Sequence, residues 1–449
     1  MAWERKIMRT VRVRNENKLG TLARLMAAIS GLQASVGTIE MINETAHSVV
    51  RDITVYAEDT EHMDHVIEAM RANTGTRVLA IRDEVLELHQ KGKIAIRSRY
   101  PIDSIATLRR VYTPGVAEVC LKIADDPALA RLYTSVSHMV AIVTDGSAVL
   151  GLGDIGPLAS MPVMEGKAML METLVGLSGM PILLNTKDPD EIVKTVAAIA
   201  PTFGAIQLED ISAPRCFEVE EKLQALLDIP VMHDDQHGTA VVSTAALMTA
   251  AKRAKVDIHQ VVIGQIGLGA AGNAIGKMVM GLTGNPVYGS DLNEDAVQRF
   301  VDAGGKRSTL KEIMAECDIV IATTGAPNLI KPEMVRKGQI ILALSNPNAE
   351  IDPEVALEHG AAFAADGKSV NNVLGFPGIF RGAMDSNSPR ITHEMLIAAV
   401  EVLVKETPAG ELLPNPLDKN VHRQVARAVA ETAIKQGIAR ADYVPYVED

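Results

Sequence analysis

Residues 261–278 read VVIGQIGLGAAGNAIGKM. The first six, VVIGQI, are mostly β-branched and read as a strand. Gly267, Gly269 and Gly272 then give GxGxxG, and the small residues that follow open a helix able to pack closely on a sheet. A dinucleotide loop needs this context: a strand before it, a helix opening at the third glycine, and an acid about 20 residues on for the ribose. The next strand-like run, PVYGSD, ends on Asp291. A carboxylate there accepts from both ribose hydroxyls and repels a 2′-phosphate, and no Arg or Lys directly follows it. The segment therefore predicts an NAD loop, with NADP the less favoured cofactor. DIVIATTG and QIILALSNP continue the alternation of a parallel, doubly wound sheet. GxGxxG recurs at Gly151, Gly153 and Gly156, but Asp154 there would repel a phosphate and Pro157 follows. That copy reads as a tight turn near the substrate.

Working outward, residues 241–449 form a Rossmann-type NAD domain with C-terminal helices. Residues 89–240 alternate helices with the short apolar strands HMVAIVTDG, MPILLNT, GAIQLED and DIPVMHDD, an α/β substrate and metal domain. Residues 1–88 hold a further unit, whose order from residue 7 is β-α-β-β-α-β, a ferredoxin-like plan with TRVLAIRDEVLEL as its closing strand. HQKGK at 89–93 is a polar hinge. The first unit resembles ACT domains in its strand, its loop carrying Gly20 and its helix opening TLARL. The resemblance implies a regulatory module that binds an amino acid or other small effector; a dimerisation domain without a ligand is the plainer reading. The fold class is α/β throughout.

The 449 residues suit about three domains. Hydrophobic residues are 47 % and aromatics 3 %, so aliphatic side chains must build the cores. The 44 basic and 56 acidic residues give a net charge of −12 without a dense basic cluster, which argues against nucleic acid and anionic membranes as partners. No apolar run is long enough to span a bilayer. The start lacks the apolar core of a signal peptide. Cys120, Cys216 and Cys317 lie far apart and form no CxxC pair. A cytoplasmic protein is expected.

Two acid pairs follow apolar strands: Glu209 with Asp210, and Asp234 with Asp235. Ligands of open parallel sheets bind outside the carboxyl ends of the strands. Four acids converging there need a cation, and oxygen ligands suit Mg²⁺ or Mn²⁺. Singly, Asp235 could cap the helix TAVVSTAALMTAAKRA and Asp210 could be a turn residue. His233 and His237 have HxxxH spacing, which suits zinc only on a helix; on a strand end and loop they read as structural. Lys167 lies amid methionines and aliphatics, where burial would depress its pKa and make it a general base, unless it snorkels to water. Tyr112 precedes Thr113 and Pro114, which read as N-cap and N1 of a helix; its phenol could donate a proton or simply pack.

In order, YTPGVAEVC, LGLGDIG, PVMEGKAML, LEDISAPRCFEVE, HDDQHGTA, GLGAAG, ALSNP and VNNVLGFPG resemble malic enzymes of the short bacterial type, from about Gly92 to the C-terminal helices. The resemblance implies oxidative decarboxylation of malate to pyruvate and CO₂ with NAD(P)⁺ and a divalent metal. By position it makes Tyr112 the general acid, Lys167 the general base, and Asp234 the acid that orients the lysine. Glu209, Asp210 and Asp235 match the metal ligands. Asn346 and Asn372 match residues that hold the malate carboxylate and lie near the nicotinamide. Larger members carry an arginine shortly before LGLGD that grips the substrate; Ala148 stands at that place here. A malolactic enzyme, which retains NAD and forms lactate, shares these motifs. An inactive amino-acid sensor and a plain 2-hydroxy-acid dehydrogenase are further readings of the same chain. A homodimer or higher homo-oligomer is expected.

Overall fold

A computed structural model describes residues 7–444 and divides the chain into two compact units between Ala95 and Ile96. In the first unit, β1 (Ile7–Glu16), β2 (Ser35–Glu44), β3 (Ser48–Ala57) and β4 (Thr76–Arg82) form an antiparallel sheet in the order β2-β3-β1-β4. The helices Thr21–Gly31 and Thr60–Ala72 bring Leu25, Ile29, Val66 and Met70 onto Val11, Val13, Ile53 and Val55. Alternation along β1 and β3 meets 3.6-residue spacing along the helices, and the two stripes make one core. The closing strand is shorter than expected. It stops at Arg82, and DEVLEL turns into the helix Glu84–His89 because Asp83 caps it, accepting from the Leu86 N–H at 3.0 Å.

The second unit holds two parallel sheets. β5 (Met139–Thr144), β6 (Ser178–Leu183), β7 (Ala205–Leu208) and β8 (Val231–His233) lie in the order β6-β5-β7-β8. β9 (Ile263–Ile266), β10 (Tyr288–Ser290), β11 (Lys306–Arg307), β12 (Ile319–Ala322), β13 (Ile340–Ala343) and β14 (Phe363–Asp366) lie in the order β11-β10-β9-β12-β13-β14. All pairs in the second sheet are parallel, so its spatial order is that of a dinucleotide-binding sheet. Sequence periodicity marks four of its strands. β11 is two exposed residues and β14 a half-buried edge, too short and too wet to show a pattern.

The helix Asp234–Ala254 leaves β8 and leads to the second sheet, running unbroken through position 240. Its Ala, Ser, Thr and Gly residues are buried almost throughout, which lets neighbouring elements approach its backbone. The helices Phe376–Asp385, His393–Glu406 and Lys419–Lys435 complete the unit. No described helix is long and apolar enough to cross a membrane.

Candidate active site

β7 and β8 are parallel neighbours, with Leu208 opposite His233. Each is followed at its carboxyl end by two acids, so the fold sets the pairs side by side. Asp234 and Asp235 fall in the first turn of the helix Asp234–Ala254, where the positive end of the peptide dipoles favours a carboxylate. Asp210 adopts φ 54°, a left-handed conformation that turns the chain so that its N–H donates to Asp235 Oδ2 at 2.8 Å. Carboxylate oxygens of Glu209, Asp210 and Asp235 lie within 4.8 Å of one another.

Lys167 enters from the helix Pro157–Val175 and is 8 % exposed. Its Nζ donates to Asp234 Oδ2 at 2.5 Å, lies 2.9 Å from Glu209 Oε1, and sits 4.6 Å from the centroid of the Phe376 ring. Asn372 Nδ2 donates to the same Asp234 oxygen at 2.9 Å, and Gln207 Nε2 donates to Glu209 Oε2 at 2.6 Å. Gly238 stands where Asp234 folds back over its own helix. A Cβ there would lie 2.9 Å from Asp234 Cγ and closer still to Oδ1.

The expected depression of Lys167 is corrected by this geometry. Burial alone would lower its pKa, but Asp234 and Glu209 outweigh burial and hold the ammonium above its ordinary value. The acids are perturbed upward in turn. Burial, then repulsion from Asp235 and Glu209, pushes Asp210 up to about 9. Burial raises Glu209 to about 7 against the pull of Lys167, and raises Asp234 and Asp235 to about 6. Asp210 Oδ2 and Asp234 Oδ1 are buried without a hydrogen-bond partner. Crowded, dry, oxygen-only donors with an orphaned atom fit a hard divalent cation.

The histidine segment is also corrected. Helix begins at Asp234, so His237 is helical rather than in a loop, because Asp234 and Asp235 stabilise the first turn. Among the described residues, His233 and His237 fall in no cluster of metal-ligating side chains. His237 Nε2 meets Glu220 at 3.1 Å, and Glu220 also accepts from the His233 N–H and from Gln236. Burial lowers His233 to about 4, so its ring is neutral.

At the second sheet the three glycines divide the work of the loop. Gly267 has φ 85°, and a Cβ there would sit 2.5 Å from the Thr323 carbonyl oxygen. Gly269 has open space where a Cβ would be, leaving its backbone approachable. At Gly272 a Cβ would run into the Gly267 carbonyl and lie 2.8 Å from Thr323 Oγ1. Asp291 accepts from the Leu268 N–H at 2.6 Å, tying the acid to the loop, and fully exposed Leu292 follows it. These features fit a dinucleotide. Gly151, Gly153 and Gly156 all have positive φ and form a turn closed by Val149 and Gly153, with Asp154 paired to Lys187. A Cβ at Gly151 would lie 3.4 Å from Pro347 Cδ, so this turn faces the Asn346 loop across the two sheets.

Ala148 donates its N–H to the Asp210 carbonyl at 2.9 Å and brings no charge. A cation beside this loop is Arg215, held by Asp145 at 2.9 Å and by Ser147 Oγ at 2.8 Å. Tyr112 departs most from expectation. Thr113 and Pro114 do not open a helix; the next one is Val116–Asp125, capped by Gly115, and Tyr112 instead ends the helix Ile105–Val111. It is 66 % exposed, and its hydroxyl has no hydrogen bond to Lys167 or the acids.

Residues 91–224 match the family model described as malic enzyme, N-terminal domain. The chain is 53 % identical over 430 residues to NAD-dependent malic enzyme 1 of Bacillus subtilis, covering 95 % of this chain and 98 % of that one. The chain belongs to the malic enzyme family. A bifunctional malic/malolactic enzyme of Bacillus subtilis is 43 % identical over 396 residues, covering 82 % of this chain and 96 % of that protein. The crystal structure of malic enzyme from Pyrococcus horikoshii superposes with a TM-score of 0.76 at 40 % identity, covering 80 % of this chain and 92 % of that one. The malic enzyme family model spans Tyr112, Lys167, Glu209 and Asp210 but stops short of Asp234 and the NAD sheet. Sequence reasoning missed Phe376, Gln207 and Gly238. Phe376 lies four residues after Asn372 within VNNVLGFPG, which was the available signal.

Proposed function

We propose that this malic enzyme oxidatively decarboxylates malate to pyruvate and CO₂ with NAD, and that Lys167 is the base that begins the reaction. The observation that carries this reading is the buried Lys167 ammonium, 2.5 Å from Asp234 and 2.9 Å from Glu209, at the rim of three clustered carboxylates. A divalent cation, Mg²⁺ or Mn²⁺, held by Glu209, Asp210 and Asp235 would supply a Lewis acid for the C2 oxygen, while NAD at Gly267, Gly269, Gly272 and Asp291 would supply the hydride acceptor.

The protein's own groups account for the protons. Lys167 takes the proton of the C2 hydroxyl as the C2 hydride leaves. Neutral lysine is reached once the charge of Glu209 and Asp235 is compensated, since these acids are part of what holds it protonated. Asp234, fixed by Asn372 and Gly238, keeps the Nζ aimed and receives it back as the ammonium. Loss of CO₂ from C3 leaves the enolate of pyruvate, and the Tyr112 phenol gives C3 its proton. Asn346 and Asn372 are the amides we assign to malate and the nicotinamide side. The first unit, with its ferredoxin-like strand order, is read as an ACT regulatory domain for a small effector. Removing divalent ions should abolish malate-dependent NADH formation, and Mn²⁺ should restore it in the wild type but poorly in Glu209→Gln. Full turnover without metal would sink this reading.

The malolactic outcome is the second reading, favoured by the 43 % identity to a bifunctional relative.

A further inference from the structure

Glu350 has no part in the chemistry above, yet it is wholly buried, at 0 % exposure. A carboxylate taken out of water is costly unless a cation or a set of donors receives it. Here only uncharged donors do so among the described residues. The Thr324 N–H donates to Glu350 Oε1 at 2.6 Å, the Thr324 hydroxyl at 2.8 Å and the Ser345 hydroxyl at 2.5 Å. The Ser345 N–H reaches Oε2 at 3.3 Å. Both hydroxyls also accept, Thr324 Oγ1 from the Ala326 N–H at 3.1 Å and Ser345 Oγ from the Gly325 N–H at 2.8 Å. Each hydroxyl has one hydrogen and gives it to Glu350, so the carboxylate accepts throughout.

These bonds join two loops. Residues 323–326 follow β12 and residues 344–347 follow β13, its parallel neighbour. The first loop abuts the dinucleotide turn: Gln265 Nε2 donates to Thr323 Oγ1 at 2.9 Å, and the Thr323 carbonyl is what excludes a Cβ at Gly267. The second loop carries Asn346, whose Nδ2 is seated 2.7 Å from where a Cβ of Gly367 would be. Asp291 marks the adenosine side, after β10 on one flank of β9. A dinucleotide laid across this edge brings its nicotinamide half to the other flank, where β12 and β13 end. Charge enters there as well as shape. Nicotinamide is a cation in NAD⁺ and neutral in NADH, so a fixed anion in a dry site attracts only the oxidised ring.

Resting on the NAD reading above, we propose that Glu350 is a positioning residue with two effects: it clasps the loops after β12 and β13 into one cradle for the nicotinamide half, and its charge, paired with no cation among the described residues, makes that cradle prefer NAD⁺ to NADH. Hydride transfer then removes the attraction and favours release of the reduced cofactor.

The test is binding of the two cofactor forms to the full chain without malate, NADH by fluorescence and NAD⁺ by calorimetry. Glu350→Gln keeps an oxygen for the three donors at Oε1 and removes the charge. It should hold NADH within about twofold of wild type and weaken NAD⁺ about three- to thirtyfold, the effect of one charge acting over the thickness of a loop. A folded glutamine variant with the wild-type ratio of the two Kd values would overturn the proposal. Ser345→Ala probes the clasp by itself, and still does so if the glutamine variant does not fold. It removes the hydroxyl between the Gly325 N–H and Glu350 but leaves the charge, so both forms should weaken together at a constant ratio while Mn²⁺ affinity is unchanged. Undiminished binding of both forms by Ser345→Ala would equally refute the clasp. Wild type is measured alongside: a folded wild type that binds neither form would sink the NAD reading itself rather than the role of Glu350.

Discussion

Gly238→Ala separates two opposite expectations. Gly238 lies inside the helix Asp234–Ala254, and on propensity alone an alanine there should stabilise the helix by about 0.5–1 kcal/mol. The packing says otherwise. The new Cβ would lie 2.9 Å from Asp234 Cγ and nearer still to Oδ1, so the carboxylate must swing away. That movement breaks its bond to Lys167 Nζ at 2.5 Å and to Asn372 at 2.9 Å. Separating a buried ion pair costs about 3–5 kcal/mol, so the net is a loss of about 2–4 kcal/mol. Displacing the group that aims the base should also lower turnover about 10²-fold. Thermal unfolding with and without divalent metal, together with malate-dependent NADH formation, reads both effects. An alanine variant at least as stable as wild type, with full turnover, would refute the placement of Asp234 against this glycine.

Lys167→Ala should lower kcat about 10²–10⁴-fold while NADH binding, followed by its fluorescence, stays unchanged; a variant keeping most of its rate would remove Lys167 from the chemistry. Asp291→Ser should narrow the preference for NAD over NADP, measured as the ratio of kcat/KM values, and an unchanged ratio would mean that the carboxylate does not read the ribose. Hydrogen bonding to Arg12, at 2.7 and 2.8 Å, lowers the Asp52 pKa. A lowered carboxylate pKa gives stability that is present above the unfolded value, about 4, and lost as pH falls through the folded one. Asp52→Asn should therefore cost the first unit about 1 kcal/mol at neutral pH, the guanidiniums being partly exposed, and the difference should shrink below about pH 4. A gap that persists into acid would assign the effect to packing.

How far the sequence can be read depends on what sets each feature. Glycine geometry is local, so Gly267, Gly269 and Gly272, set between a strand and a helix start, announce a dinucleotide loop where the same spacing at Gly151, Gly153 and Gly156 does not; the structure gives Gly267 and Gly272 a steric reason and leaves open space at Gly269. The acid pairs were legible because parallel strands deliver their carboxyl ends to one edge. The state of Lys167 was not. Its sign depends on whether burial or two carboxylates from different strands dominate, and that is a tertiary contest. Helix starts were misplaced for a related reason. Asp234 and Asp235 begin a helix that proline and histidine upstream disguise, while Thr113 and Pro114 resemble a cap yet precede the helix at Val116. Phe376 under Lys167 needed the two helices to be in place before it meant anything.

Oxidative decarboxylation is tested most directly by product stoichiometry. Purified protein is given malate, NAD⁺ and Mn²⁺, and pyruvate, lactate, CO₂ and NADH are quantified together. The expected result is one pyruvate, one CO₂ and one NADH for each malate consumed. Lactate without net NADH would make the protein a malolactic enzyme, and oxaloacetate with NADH but no CO₂ would contradict decarboxylation at this site.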